Sequence, residues 1–158
     1  MSESLEAPLS RFVLGPELAR GGMAAVHVAT DTTNDQTVAV KLLFNDADDE
    51  ARARFQREVR ATAGLSSKNI CGLIAWGVAD DAGAKSFLAM EFVDGPTLHA
   101  LSRRARLAGV TDPRDAMPAR VVVEVLRQLL EGLATAHDAG ILHRDLKPAN
   151  VMIDRKAS

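Results

Sequence analysis

One cysteine, Cys71, is all that 158 residues contain, so no internal disulfide is possible and a reducing compartment fits. Such a lone cysteine is expected to act as a small buried hydrophobe. A surplus of charge is missing too: 19 Lys and Arg stand against 21 Asp and Glu, a net charge of −2. That balance gives no support for binding nucleic acid or an anionic membrane. No apolar run approaches the length that spans a bilayer. The first ten residues lack an apolar core, so a signal peptide is not expected and a cytoplasmic location is. Repeats and low-complexity tracts are absent as well. What is there, 47% hydrophobic and 25% charged, is the composition of a soluble globular chain able to bury a core.

Chemistry concentrates in His143-Arg144-Asp145-Leu146-Lys147-Pro148-Ala149-Asn150. Pro148 fixes its own φ and biases Lys147 away from helix, which predicts a shaped loop. A carboxylate and an amide five residues apart on one loop suit two tasks. The carboxylate can orient and deprotonate a hydroxyl, and the amide oxygen can bind a hard cation such as Mg²⁺.

Residues 1–11 read as a polar tail. A strand pattern begins at Phe12, is interrupted at Gly15-Pro16 and reaches Leu18. The turn Ala19-Arg20-Gly21-Gly22-Met23-Ala24-Ala25-Val26 follows, flanked by strands. Asp31 to Gln36 is polar turn material, Thr37 to Leu43 is a third strand, and the three strands together predict an antiparallel meander. Lys41 ends a run of small apolar residues on a central strand, and a Lys projecting from such a strand needs a carboxylate to hold its geometry. Residues 46–65 supply one. Ala51, Phe55, Val59 and Ala63 repeat every four residues, the stripe of a helix that Asp46 or Asp48 can cap. Glu58 borders that stripe, and Glu50 is a fallback near the helix start. Strands are expected at 72–78 and 87–93. Thr97 caps a short helix reaching about Ala108, whose basic face (Arg103, Arg104, Arg106) is read as solvated, with no partner claimed. Pro118 opens a long helix striped by Val122, Val125, Leu126, Leu129, Leu130 and Leu133 and ending at Gly140.

The octapeptide at 143–150 resembles the catalytic loop of eukaryotic-type (Hanks-type) protein kinases. Lys147 resembles the serine/threonine form of that loop, and the style of the motifs resembles bacterial members. The resemblance implies an α+β, two-lobed fold over residues 12–158. Its first lobe, 12–93, carries a five-stranded antiparallel sheet plus the C helix. Residues 94–158 supply the hinge and an incomplete helical lobe. The implied activity is transfer of the γ-phosphoryl group of ATP, with Mg²⁺, to Ser or Thr of a protein substrate. Asp145 is the implied base, Lys147 offsets developing charge, and Asn150 binds metal. Lys41 pairs the α- and β-phosphates, held by Glu58. Leu18 and the turn 19–26 lie where the family has Gly-x-Gly-x-x-Gly-x-Val, but Ala19 and Ala24 replace two of the glycines, which predicts a stiffer loop and weaker ATP binding. Val26, Ala39 and Met152 line the adenine, Met90 is the gatekeeper, and backbone groups of Glu91 and Val93 bond the adenine edge. Thr62 departs from the larger apolar residue that the family prefers there.

Asp-Phe-Gly, whose Asp holds the primary Mg²⁺ in the family, does not occur. The resemblance therefore implies a kinase domain truncated before that motif, inactive alone and with part of its long helix uncovered. The competing expectation is a non-catalytic nucleotide-binding or scaffolding pseudokinase module. A small-molecule phosphotransferase is disfavoured by Arg144 and Lys147.

Overall fold

A computed structural model describes residues 5–22, 24–44, 59, 63–79, 84–112 and 117–155. Contacts divide the chain into two compact units, 1–66 with 71–92, and 67–70 with 93–158.

The first unit is a five-stranded antiparallel sheet: β1 (Phe12–Arg20), β2 (Ala24–Asp31), β3 (Gln36–Phe44), β4 (Leu73–Gly77) and β5 (Ala84–Glu91). The order is β1-β2-β3-β5-β4, so β3 is central and only the first three strands form a meander. On β3, Val38, Val40 and Leu42 are buried while Ala39 and Lys41 between them are half-buried, the two-residue period of a sheet with unlike faces. Val38, Val40 and Leu42 join Phe12, Ala29, Ala75, Phe87 and Ala89 in the core. Phe12 meets Phe87 edge to face, with centroids 5.6 Å apart. Each buried Val, Leu or Phe in this core contributes roughly 1.5–3 kcal/mol.

Three expectations change here. β1 is not interrupted at Gly15-Pro16; it continues to Arg20, with register shifts on either side of Glu17. An edge strand tolerates a proline because its outer N–H groups need no ladder partner. Residues 5–11 are more than a tail. The Ala7 N–H donates to the Trp76 C=O and the Trp76 N–H to the Leu5 C=O, both at 2.9 Å, and Ala7 and Leu9 pack on the core. Gly77 permits that approach, since a Cβ there would overlap the Ala7 carbonyl and meet Phe87 Cε1 at 2.8 Å. Asp31, which reads as turn material, is fully buried. Its carboxylate accepts from Arg11 Nε at 2.9 Å and Nη2 at 2.6 Å, and from the Thr33 N–H at 3.0 Å and hydroxyl at 2.7 Å.

The helix expected over 46–65 lies outside the described residues except at Val59 and 63–65. Val59 is helical and buried, and its carbonyl accepts from the Ala63 N–H at 2.9 Å.

The second unit holds α1 (Leu98–Leu107) and α2 (Ala119–Asp138). Thr97 caps α1, its side chain accepting from the Ala100 N–H at 3.0 Å. Gly140, at φ +74°, turns the chain out of α2, the left-handed step that glycine takes most easily. Of the expected α2 stripe, Val122, Leu126 and Leu130 are exposed. The buried positions of α2 are Gly132 and Ala136. A Cβ on Gly132 would stand 2.9 Å from the Asn69 carbonyl, and Asn69 Nδ2 also donates to Glu131 at 3.1 Å, so residues 67–70 seat on this side of the helix.

Gly95 marks a tight crossing in the second unit. A Cβ there would overlap the Ile153 carbonyl. Around it the Leu98 N–H donates to Val151, Ile153 to Pro96 and Arg155 to Asp94, at 2.9, 2.9 and 3.1 Å. Gly95→Ala is expected to break this pairing and lower stability by about 1–3 kcal/mol, the usual range for overpacking. Thermal melting checks it; an unchanged midpoint would mean that the segment around Ile153 is free to shift.

Candidate active site

In the sheet, directly paired residues share a face. Lys41 pairs with Val26 on one side and Leu88 on the other, and Ala39 with Val28 and Met90. These six side chains therefore form one face, and all six are half-buried, whereas the opposite face is core. The result is an incompletely covered apolar surface carrying one ammonium group. Three of the six, beside Lys41 itself, are expected nucleotide contacts: Val26, Ala39 and Met90. Ala25 is not on this face. It pairs with Leu42 and is buried, so only its backbone is available to a ligand; taking the 19–26 run as a block hid this alternation.

Leu18, Ala19, Arg20, Gly21 and Gly22 are exposed. The Gly21 N–H donates to the Ala24 carbonyl at 2.8 Å and closes the turn. Met23 lies outside the described residues, as does Glu58, and with it the Lys41–Glu58 pair. Arg20 is held by Glu17, Nε at 2.9 and 3.1 Å and Nη2 at 2.5 Å, and lies over the Phe44 ring at 5.0 Å. Residues three apart on a regular strand point to opposite faces; the register shift after Glu17 is what lets this pair meet.

At the end of β5, the Glu91 N–H donates to Gly72 at 2.9 Å, and Cys71 Sγ donates to the Glu91 carbonyl at 3.3 Å. Cys71 is thus no buried hydrophobe. The residue is exposed, yet desolvation of its thiol, aided by the Glu91 charge, pushes its pKa up to about 11. The thiol stays protonated and inert at neutral pH. Val93, in the second unit, accepts from the Gly95 N–H at 3.1 Å.

The loop 143–150 lies wholly in the second unit. Arg144 takes φ +58°, and the Asp145 N–H turns back to the His143 carbonyl at 2.7 Å. Lys147 is extended (φ −152°, ψ 159°), as Pro148 requires, and Pro148–Asn150 make a 3-10 turn. Lys147 Nζ donates to both Asp145 oxygens, at 2.7 and 3.0 Å. Asn150 Nδ2 donates to the Asp145 carbonyl at 2.8 Å and to its carboxylate at 3.2 Å. The three residues thus form one network, with the Asp145 side chain 66% exposed. The bond from Lys147, more than that from Asn150, holds the Asp145 carboxyl below the usual carboxylate range against a smaller cost of desolvation. Met152 lies just beyond, 45% exposed and bridged to Thr97. No group of three His, Cys, Asp or Glu able to hold a metal occurs among the described residues.

The family model described as the protein kinase domain matches residues 12–158, the span that holds both the Lys41 face and the Asp145 loop. The chain belongs to the protein kinase domain family. Over 166 residues it is 37% identical to a probable serine/threonine-protein kinase PknB of Bifidobacterium longum, covering 99% of this chain and 23% of that protein. The serine/threonine-protein kinase PknL of Mycobacterium tuberculosis is 36% identical over 155 residues, 96% of this chain and 36% of that protein. In fold it is similar to the crystal structure of the M. tuberculosis PknI kinase domain, with a TM-score of 0.75 at 26% identity, covering 98% of this chain and 59% of that one. This chain thus spans well under half the length of these two kinase relatives. No helix among the described residues is long and apolar enough to cross a membrane.

Proposed function

We propose that this chain carries the nucleotide-binding strands and the catalytic loop of an ATP-dependent protein serine/threonine kinase. The observation that carries the reading is the locked network of Asp145, Lys147 and Asn150. Asp145 accepts the proton of the Ser or Thr hydroxyl and aims its oxygen at the γ-phosphorus. Lys147, beside it, offsets charge that develops on the transferred phosphoryl group. Asn150 spends its Nδ2 on Asp145, which leaves its amide oxygen for a cation. One protein oxygen suits Mg²⁺, which keeps several of its waters. When bound, Mg²⁺ neutralises charge on the phosphates. Lys41 grips the α- and β-phosphates with Glu58 as its partner. Val26, Ala39 and Met90 offer adenine an apolar wall, and backbone groups of Glu91 and Val93 its polar edge. Backbone N–H groups at the turn between β1 and β2, other than that of Gly21, approach the phosphates. With ATP as the donor, the reading puts the chain in the cytoplasm.

One observation favours a second reading, a nucleotide-binding pseudokinase module: the turn is closed on itself by the Gly21–Ala24 bond and stiffened by Ala19 and Ala24. Calorimetric titration with Mg·ATP tests the nucleotide reading. Saturable binding is expected, with a loss of at least about tenfold in Lys41→Met from the broken charge-assisted contacts. The double variant Ala19→Gly/Ala24→Gly is expected to bind about fivefold tighter through a freer loop. No binding by the unmodified chain would remove the proposal, and no gain from the glycines would remove the loop argument alone.

A further inference from the structure

We propose that the exposed face of α1 docks an acidic segment of the protein substrate, an inference that rests on the kinase reading above. Residues 95–111 contain Arg103, Arg104 and Arg106 and no Asp or Glu. Arg103 and Arg104 and the neighbouring Leu107 are exposed, Arg106 is exposed beside them, and none of the three arginines forms an ion pair among the described residues. At 100° per residue, Arg103 and Leu107 stand side by side one turn apart, with Arg104 and Arg106 flanking them and His99 one turn earlier. Leu107 is 76% exposed, more than any other large hydrophobic residue among those described. The helix dipole accounts for Arg104 and Arg106 in the last turn. It does not account for Arg103, or for a leucine held in water among three guanidinium groups.

Position gives the face its purpose. α1 begins where the catalytic loop ends. Leu98, its first residue, donates to Val151, the residue after Asn150, and Thr97 bridges to Met152. The arginines follow about 8–12 Å along the helix axis from Leu98, so the segment proposed to dock there is one that lies away from the hydroxyl presented to Asp145. The occupant must be anionic, with an apolar residue to cover Leu107. A single ten-residue helix on a chain of net charge −2 suits a short acidic peptide better than an extended polyanion or a lipid surface.

The test is fluorescence anisotropy with a labelled peptide holding one serine, a run of glutamates and one leucine. Arg103→Glu/Arg104→Glu/Arg106→Glu is expected to weaken binding at least about tenfold, the sum of three exposed ion pairs. Binding to the unmodified chain should fall as salt rises. Leu107→Asn should weaken it severalfold without changing the salt dependence, and Arg103→Gln should fall in between, so the claim does not hang on one heavily altered variant. Unchanged far-UV circular dichroism confirms that α1 is intact. Equal affinity in all variants would overturn the proposal. So would equal binding of a lysine version of the peptide, or a preference of the same arginines for phosphatidylserine vesicles. ATP titration of the same samples separates the two readings: charge-dependent peptide binding by a chain that takes up no ATP would overturn the substrate assignment.

Discussion

Phosphoryl transfer by a kinase carrying this loop is expected to fall by about 10²–10⁴-fold when Asp145 becomes asparagine, the range that a positioned general base supplies. The substitution keeps the size and one acceptor oxygen of the side chain but removes its basicity and the charge that Lys147 neutralises at 2.7 Å. ATP affinity should hardly change, because the loss is felt in the transfer step; single-turnover kinetics beside nucleotide titration separates the two. The pH profile carries a second expectation. Lys147 lowers the Asp145 pKa, so the base is ionised throughout the neutral range, and an acidic limb due to Asp145 should lie below the ordinary carboxylate value of about 3.9. Lys147→Ala should move that limb upward as well as slow transfer. A limb that stays in place would mean that another group sets it.

Asp31→Ala is expected to cost about 3 kcal/mol, since it removes a buried carboxylate that accepts four hydrogen bonds, two from Arg11 and two from Thr33. The value sits at the low end because the Arg11 side chain keeps 28% exposure. For a chain of this size the melting midpoint should drop by about 6–12 °C. Bonds from Arg11 and then Thr33 hold the Asp31 carboxyl far below its usual range against the opposing effect of burial. A depressed folded-state pKa means that the unfolded chain binds the proton first. The stabilisation is therefore complete at neutral pH and is lost as the pH falls below about 4. Denaturant melts between pH 7 and pH 2 should show a steeper acid loss in the native sequence than in Asp31→Ala. Parallel curves would show that the pair contributes nothing.

What could be read from the sequence was what is local. Asp145, Lys147 and Asn150 lie within six residues, and Pro148 shapes the backbone between them. Lys41 ends a run of small apolar residues that reads as a central strand, and β3 is central in the sheet. Thr97 and Gly140 mark helix ends by their own side-chain and backbone preferences. Misread features depend on partners distant in the chain. Arg11 finds Asp31, Cys71 finds Glu91, and Leu5 and Ala7 find Trp76; no residue pattern near any of them announces the pairing. β5 inserts between β3 and β4 for the same reason, because strand order is set by which apolar faces meet. The stripe on α2 was readable as a stripe, but periodicity says nothing about what covers Val122, Leu126 and Leu130.

The most direct measurement is transfer of labelled γ-phosphate from ATP to matched peptides bearing Ser, Thr or Tyr, by a protein that carries these residues in a kinase domain of the relatives' length. Labelled Ser and Thr peptides, an unlabelled Tyr peptide and near-background transfer in Asp145→Asn are the predicted result. Transfer that survives in Asp145→Asn, or label on the Tyr peptide alone, would contradict the account.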